Sequence, residues 1–115
     1  MRTIVLSRAL VTLAPAALAL MFSAAPGFAA DPKAGQAAYE KSCKSCHGAD
    51  GTPNAAIAKM MKVEMRDLKA AGVQARNDAD LKKVIVDGEG KMKPTAGVSS
   101  ASADDMVAYV RTLKK

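Results

Sequence analysis

The C-terminal part of the chain shows a helical pattern of apolar and polar positions. Apolar side chains recur there with the i, i+3, i+4, i+7 spacing of a helix that buries one stripe. These positions are Met106, Tyr109, Val110 and Leu113. Ser99 or Ser100 precedes them and can accept a backbone hydrogen bond at a helix start. The pattern predicts a helix from about Ser99 or Ser100 to Leu113.

A second helix is predicted near residue 32. Asp31 suits an N-cap, and a proline follows it at the first helical position. We expect this helix to run from Pro32 to Cys43 or Lys44. Gly35 and Tyr39 lie four residues apart and therefore share one face, where the missing side chain of the glycine lets another helix approach.

A third helix is predicted over Asp78–Asp87, because apolar residues at 81, 84 and 85 lie on one face and Gly88 can end it. The segment Gly88–Pro94 is too rich in glycine and proline to continue a helix, so we expect a loop that carries Met92. Weaker patterns suggest short helices over Asn54–Lys62 and Met65–Ala71. A polar stretch, residues 74–80, follows the second of them.

No segment alternates apolar and polar residues as a half-buried strand does, and no internal repeat is present. The predicted fold class is therefore all-α.

The N-terminus has the three parts of a secretory signal peptide. Arg2 and Arg8 supply positive charge, Ala9–Phe22 is an apolar stretch, and small residues lead to cleavage after Ala29 or Ala30. The sequence therefore predicts a signal peptide at residues 1–30, one domain at residues 31–115, and a periplasmic protein. An uncleaved membrane anchor is the alternative, because no charged residue lies between Arg8 and Asp31.

Composition indicates that the processed chain has few large apolar side chains with which to fill a core. Its 85 residues contain Tyr39 and Tyr109 as their aromatic residues, since both phenylalanines precede residue 31 and the chain has no tryptophan. A large apolar cofactor would supply the missing bulk, so we expect the chain without it to be largely unfolded. The net charge of residues 31–115 is +4, from 15 basic and 11 acidic residues spread along the chain, which gives little support to nucleic-acid binding.

The run Cys43-Lys44-Ser45-Cys46-His47 is a CxxCH motif, the signature of covalent haem attachment. Each thiol can form a thioether with the haem, and the adjacent imidazole can bind the iron. We expect its second nitrogen to bond a backbone carbonyl of residues 48–54, with Pro53 as a candidate. A dithiol redox pair normally follows a strand, which is not predicted here, and a structural zinc site takes four ligands where the chain has two cysteines and one histidine.

Together these segments resemble a small bacterial class I cytochrome c over residues 31–113. The resemblance rests on the glycine and tyrosine of the first helix, the CxxCH motif, the methionine loop and the last helix. It implies the cytochrome c fold, in which the first and last helices cross near Gly35 and Tyr109 over one covalently bound haem c. His47 is then the proximal iron ligand and Met92 the distal ligand.

The distal ligand has competitors. Met60, Met61 and Met65 are the other methionines of the predicted domain outside the last helix, and a lysine or an open position is the remaining alternative. A methionine at helical spacing more often packs in a core, whereas Met92 lies in a loop between glycine and proline. Lys93 separates Met92 from Pro94, where many relatives have proline directly after the methionine.

The resemblance implies a periplasmic carrier of single electrons with transient redox protein partners, monomeric and without nucleic acid. Lys44, Lys91 and Lys93 are candidates for steering acidic partners. The alternatives are a haem-bearing subunit or anchored module of a respiratory complex, and a ligand-binding or peroxidase-like haem protein with a labile methionine. No nucleophile with an adjacent base indicates an enzyme, because the single histidine is assigned to iron.

Overall fold

Six helices organise residues 29–114, which are the residues that the computed structural model describes. They are α1 (Pro32–Ser42), α2 (Lys44–His47), α3 (Ala55–Met61), α4 (Ala71–Gln74), α5 (Asp78–Asp87) and α6 (Ser100–Thr112). The described part contains no β-strand, and its one β-type pairing is an isolated bridge between Glu89 and Met92. The predicted all-α class is confirmed.

The predicted helix starts are confirmed at atomic detail. The Asp31 side chain accepts a hydrogen bond from the Lys33 N–H at 2.9 Å and caps α1. Ser99 caps α6 by accepting from the Ser102 N–H at 3.1 Å. These bonds satisfy backbone donors that the first turn of a helix leaves without a partner.

Helices α1 and α6 pack directly against each other at Gly35. A Cβ atom at this buried glycine would overlap the backbone carbonyl of Asp105 and lie 3.0 Å from the Met106 nitrogen. The α1–α6 crossing therefore lies at Gly35, as predicted, and Gly35 faces Asp105 on α6, not Tyr109. Tyr109 lies one turn further along, where its ring packs against Tyr39 with 5.1 Å between centroids.

The core is small and lies mainly along α6. The predicted stripe is partly confirmed: Met106 and Val110 are buried, whereas Tyr109 and Leu113 are half-buried. A cluster of buried apolar side chains joins α6 to α4 and α5. Its members are Val73, Leu81, Ile85, Ala103, Met106 and Val107.

The predicted helix over Met65–Ala71 is wrong. Residues 63–67 have no regular structure, and the Leu68 N–H bonds the Gly51 carbonyl at 3.0 Å instead of a carbonyl in its own segment. Asp67 accepts from the Lys69 N–H at 2.9 Å, which favours a turn there. A short helix, α4, follows at Ala71–Gln74 and overlaps the predicted polar stretch, residues 74–80, only at Gln74.

The other central elements agree with their predictions. Asn54 caps α3, which ends at Lys62 in a left-handed conformation with φ of 52°. Asn77 caps α5 by accepting from the Asp80 N–H at 2.8 Å. Gly88 ends α5 with φ of 79°, a value that a side chain disfavours.

The predicted signal peptide falls almost wholly on residues 1–28, outside the described residues, so the cleavage site and the domain boundary stay predictions. Between residues 29 and 114, the structure has no helix with the length and apolar character needed to cross a bilayer.

Candidate functional site

A cavity of about 700 Å³ lies beside the α1–α6 crossing. Its volume falls in the range of sites for small molecules and cofactors. Apolar side chains from four parts of the chain form much of its wall. They include Leu68, Val73, Leu81, Ile85, Met106 and Val110. The cavity therefore takes the central place that a larger domain fills with its own side chains.

The CxxCH motif forms one wall of this cavity. Helix α2 carries Cys46 and His47, Cys43 stands between α1 and α2, and all three residues line the cavity. Both cysteines are free thiols and half-buried. Burial, with a smaller contribution from Cys46, raises the pKa of Cys43 to about 11. A thiol with a raised pKa is the opposite of the activated thiolate in a dithiol redox pair.

His47 is short of one bonding partner. Its Nδ1 atom is buried and has no hydrogen-bond partner among the described residues, so the expected bond to a carbonyl of residues 48–54 is not formed. Burial lowers the pKa of His47 and favours the neutral ring, the form that binds a metal. Because Nδ1 has almost no accessible surface, it faces protein and not the cavity, which leaves Nε2 as the nitrogen that could bind a group there.

Tyr39 holds the motif from α1. Its hydroxyl donates to the Gly48 carbonyl at 2.7 Å and also lies 3.2 Å from the His47 carbonyl. The side chain is 1% exposed, and burial raises its pKa, so the hydroxyl stays protonated as a donor. The predicted face of Gly35 and Tyr39 therefore has two roles: the glycine admits α6, and the tyrosine fixes the end of α2.

Met92 lies on a loop at the cavity and is half-buried. Its backbone exchanges two hydrogen bonds with Glu89, at 3.0 and 2.9 Å, and the Thr95 N–H donates to the Ile85 carbonyl at 3.0 Å. Met61 and Met65 also line the cavity, whereas Met60 is 71% exposed and does not. Met60 is therefore no longer a candidate for the distal ligand, and the choice of Met92 over Met61 and Met65 stays a prediction.

Charged side chains stand on the same side of the cavity as the methionine loop. Arg76 donates to both carboxylate oxygens of Glu89, at 3.0 and 3.2 Å, in a two-pronged ion pair. Arg66, Lys91 and Lys93 also line the cavity. Sequence reasoning missed the role of Arg76, because its pairing across 13 residues follows no local pattern.

Gln74 is a further residue that the sequence did not indicate. Its side-chain amide donates to the carbonyls of Leu68 at 2.8 Å and Val110 at 3.0 Å, and both of those residues line the cavity. Among the described residues, no group of three or more histidine, cysteine, aspartate and glutamate side chains is arranged to hold a metal ion.

The cavity, its apolar wall, the two thiols and the neutral imidazole beside them fit a haem attached through the CxxCH motif. Cys43 and Cys46 would carry the thioethers, and His47 would bind the iron. Met92 lines the same cavity, and its role as the distal ligand stays a prediction.

Comparisons with known proteins agree with this arrangement. A family model described as cytochrome c oxidase, cbb3-type, subunit III matches residues 30–110. The chain is 33% identical over 91 residues to cytochrome c-554(547) of Halothiobacillus neapolitanus, a match that covers 75% of this chain and 100% of the relative. A solved structure, the KustC0563 c-type cytochrome, matches with a TM-score of 0.62 and 28% identity, over 70% of this chain and 98% of that one.

Proposed function

The chain belongs to the c-type cytochromes, as a member of the family whose model describes subunit III of cbb3-type cytochrome c oxidase, and on this premise we propose that it is a periplasmic carrier of single electrons. Its helices form the all-α cytochrome c fold, and its cofactor is one covalently bound haem c. The observation that carries the proposal is the cavity that brings both thiols, His47 and the Met92 loop together.

In this proposal each residue of the site has one role. Cys43 and Cys46 hold the haem through thioethers, His47 is the proximal iron ligand, and Met92 is the distal ligand. When bound, the haem supplies an iron that gains and loses one electron. The chain would hold His47 and Met92 as the ligands of the iron, and its apolar wall would keep water from most of the cofactor.

Two protein ligands favour electron transfer over catalysis. A methionine thioether is a soft, neutral donor that raises the reduction potential relative to a second histidine. With His47 and Met92 both bound, no coordination position is open to a substrate. We therefore propose that the protein is not an enzyme, and that its partners are redox proteins that dock transiently on a monomer.

Two measurements on the exported protein test the haem and its attachment. The mass should equal that of the processed chain plus one haem, and acidified organic solvent should leave the colour on the polypeptide. The mass of the processed chain also identifies the cleavage site. A colourless chain, or colour that extracts completely, would contradict covalent attachment.

The distal ligand has a separate test. The ferric protein should show the weak sulfur-to-iron absorption band, and the reduced protein should not bind carbon monoxide at neutral pH. Met92→Ala should remove the band and admit carbon monoxide, while Met61→Leu and Met65→Leu, which alter the other methionines of the cavity, should change neither. Carbon monoxide binding by the unaltered protein would instead favour a ligand-binding haem protein with a labile distal position.

Lysines near the site support acidic redox partners. Lys44 and Lys93 are exposed, one in the CxxCH motif and one beside Met92. Positive charge around a binding surface increases the rate at which acidic partners arrive, and salt screens this effect. The bimolecular rate of electron transfer should therefore fall as ionic strength rises, and a constant rate would rule out steering.

A second function is a haem-bearing subunit of a respiratory complex. The observation in its favour is the description of the matching family model as an oxidase subunit. Separation of membrane and periplasmic fractions distinguishes the two functions. A carrier should appear in the periplasmic fraction without detergent, whereas a complex subunit should co-purify with membrane partners.

A further inference from the structure

Lys91, the residue before Met92, reaches across the cavity wall to the end of α3. Its Nζ atom donates to the Met61 carbonyl at 2.7 Å and to the Lys62 carbonyl at 3.3 Å. The partners are 30 and 29 residues away in sequence, so no local pattern predicts these bonds. The sequence suggested this lysine as a docking residue, and its ammonium group is instead engaged within the protein.

The end of α3 is a suitable acceptor for this ammonium group. Met61 is the last helical residue, and Lys62 follows in the left-handed conformation that turns the chain away. Carbonyls in the last turn of a helix lack partners within the helix and carry partial negative charge. A lysine therefore satisfies two of them while complementing their charge.

The bonds of Lys91 attach one side of the methionine loop to the end of α3. Met61, Lys91 and Met92 all line the cavity, so the bonds of Lys91 join two walls that are distant in sequence. On the other side of the loop, the ion pair between Glu89 and Arg76 ties the loop to the chain just before α5. The loop that carries Met92 is thus attached at two points, through Glu89 to Arg76 and through Lys91 to the end of α3.

We propose that Lys91 is a positioning residue that holds the Met92 loop against α3 and thereby limits the departure of Met92 from the iron. This inference rests on the proposed function, because it takes Met92 as the distal ligand. Lys91 acts through the loop and contacts the α3 carbonyls, whereas Met92 contacts the cofactor.

The chain offers a matched control beside the same methionine. Lys93 is exposed, lines the cavity as Lys91 does, and has no side-chain hydrogen bond or ion pair within residues 29–114. Lys91→Gln and Lys93→Gln remove the same charge on either side of Met92. Lys91→Arg keeps a long cationic donor and tests whether the bonds to α3 can be restored.

The reduced holoproteins are compared by the rate at which carbon monoxide binds at one fixed, sub-denaturing concentration of denaturant, where Met92 leaves the iron even in the unaltered protein. Lys91→Gln should increase this rate about tenfold, equivalent to about 1.4 kcal/mol in the opening equilibrium. Lys93→Gln should stay within about twofold of the unaltered protein, and Lys91→Arg should recover most of the difference. The sulfur-to-iron band of Lys91→Gln should be lost at lower denaturant concentration, while the far-UV circular dichroism midpoint stays nearly unchanged.

Equal rates for Lys91→Gln and Lys93→Gln would overturn the inference, because charge alone would then explain the effect. A matching shift of the circular dichroism midpoint would also overturn it, since Lys91 would then stabilise the whole fold. Failure of the ligand assignment is recognised separately, in the unaltered protein. If that protein lacks the sulfur-to-iron band, Met92 is not the ligand and the role of Lys91 falls with it.

Discussion

The close packing of α1 on α6 leaves no room for a side chain at Gly35. Gly35→Ala adds one methyl group where a Cβ atom overlaps the Asp105 carbonyl and lies 3.0 Å from the Met106 nitrogen. All of these are backbone atoms, so no side-chain rotation makes room. The two helices must move apart, which exposes part of the buried side chains of Tyr39 on α1 and Met106 on α6.

The magnitude follows from two opposing effects. Overpacking of a tight core costs about 1–3 kcal/mol, and a clash with backbone belongs at the upper end, about 3 kcal/mol. Alanine in place of glycine within a helix recovers about 1 kcal/mol. The net loss in the free energy of unfolding is therefore about 2 kcal/mol, which in a domain of this size lowers Tm by about 8–16 °C.

Thermal unfolding of the holoprotein, followed by far-UV circular dichroism, measures this loss. Gly72→Ala is the matched control, because a Cβ atom at Gly72 in α4 meets nothing within 4 Å. It should leave Tm unchanged or raise it slightly. If Gly35→Ala were as stable as Gly72→Ala, the close approach of α1 and α6 at residue 35 would be refuted.

Two further substitutions test hydrogen bonds made by a side chain of α1 and a side chain of α6. Tyr39→Phe removes the donor to the Gly48 carbonyl and should lower the free energy of unfolding, measured by chemical denaturation, by about 1 kcal/mol. Tyr109→Phe should cost less, because the Tyr109 hydroxyl makes only a 3.5 Å contact. Equal losses in the two variants would argue against a special role for Tyr39. Arg111→Met removes the ion pair with Asp78 and bonds to two backbone carbonyls, and should cost about 2–3 kcal/mol. Arg111→Lys should recover less than half, because lysine lacks the planar fork, and full recovery would show that charge alone matters.

Elements set by local chemistry were predictable from the sequence. The caps Asp31 and Ser99 and the terminator Gly88 are near-neighbour effects, so α1, α5 and α6 were found close to their observed ends. The CxxCH motif was found for the same reason. Its residues are contiguous, and their chemistry does not depend on the rest of the chain.

The segments that wrap the cavity were less predictable. Residues 63–70 have apolar positions that suit a short helix, yet Val63, Met65 and Leu68 are used to line the cavity. The conformation of this segment follows from a bond to Gly51, seventeen residues before Leu68, and not from local periodicity. The partners of Arg76 and Lys91 escaped prediction for the same reason.

Covalent attachment keeps the central cavity filled when the concentration of free cofactor is low. A cofactor bound only by contacts stabilises a fold according to its free concentration and is lost as that concentration falls. A tether fixes the local concentration of the cofactor at the cavity, whatever the surroundings contain. With its haem covalently bound, the domain keeps the stabilisation of a filled interior even where no spare cofactor is present.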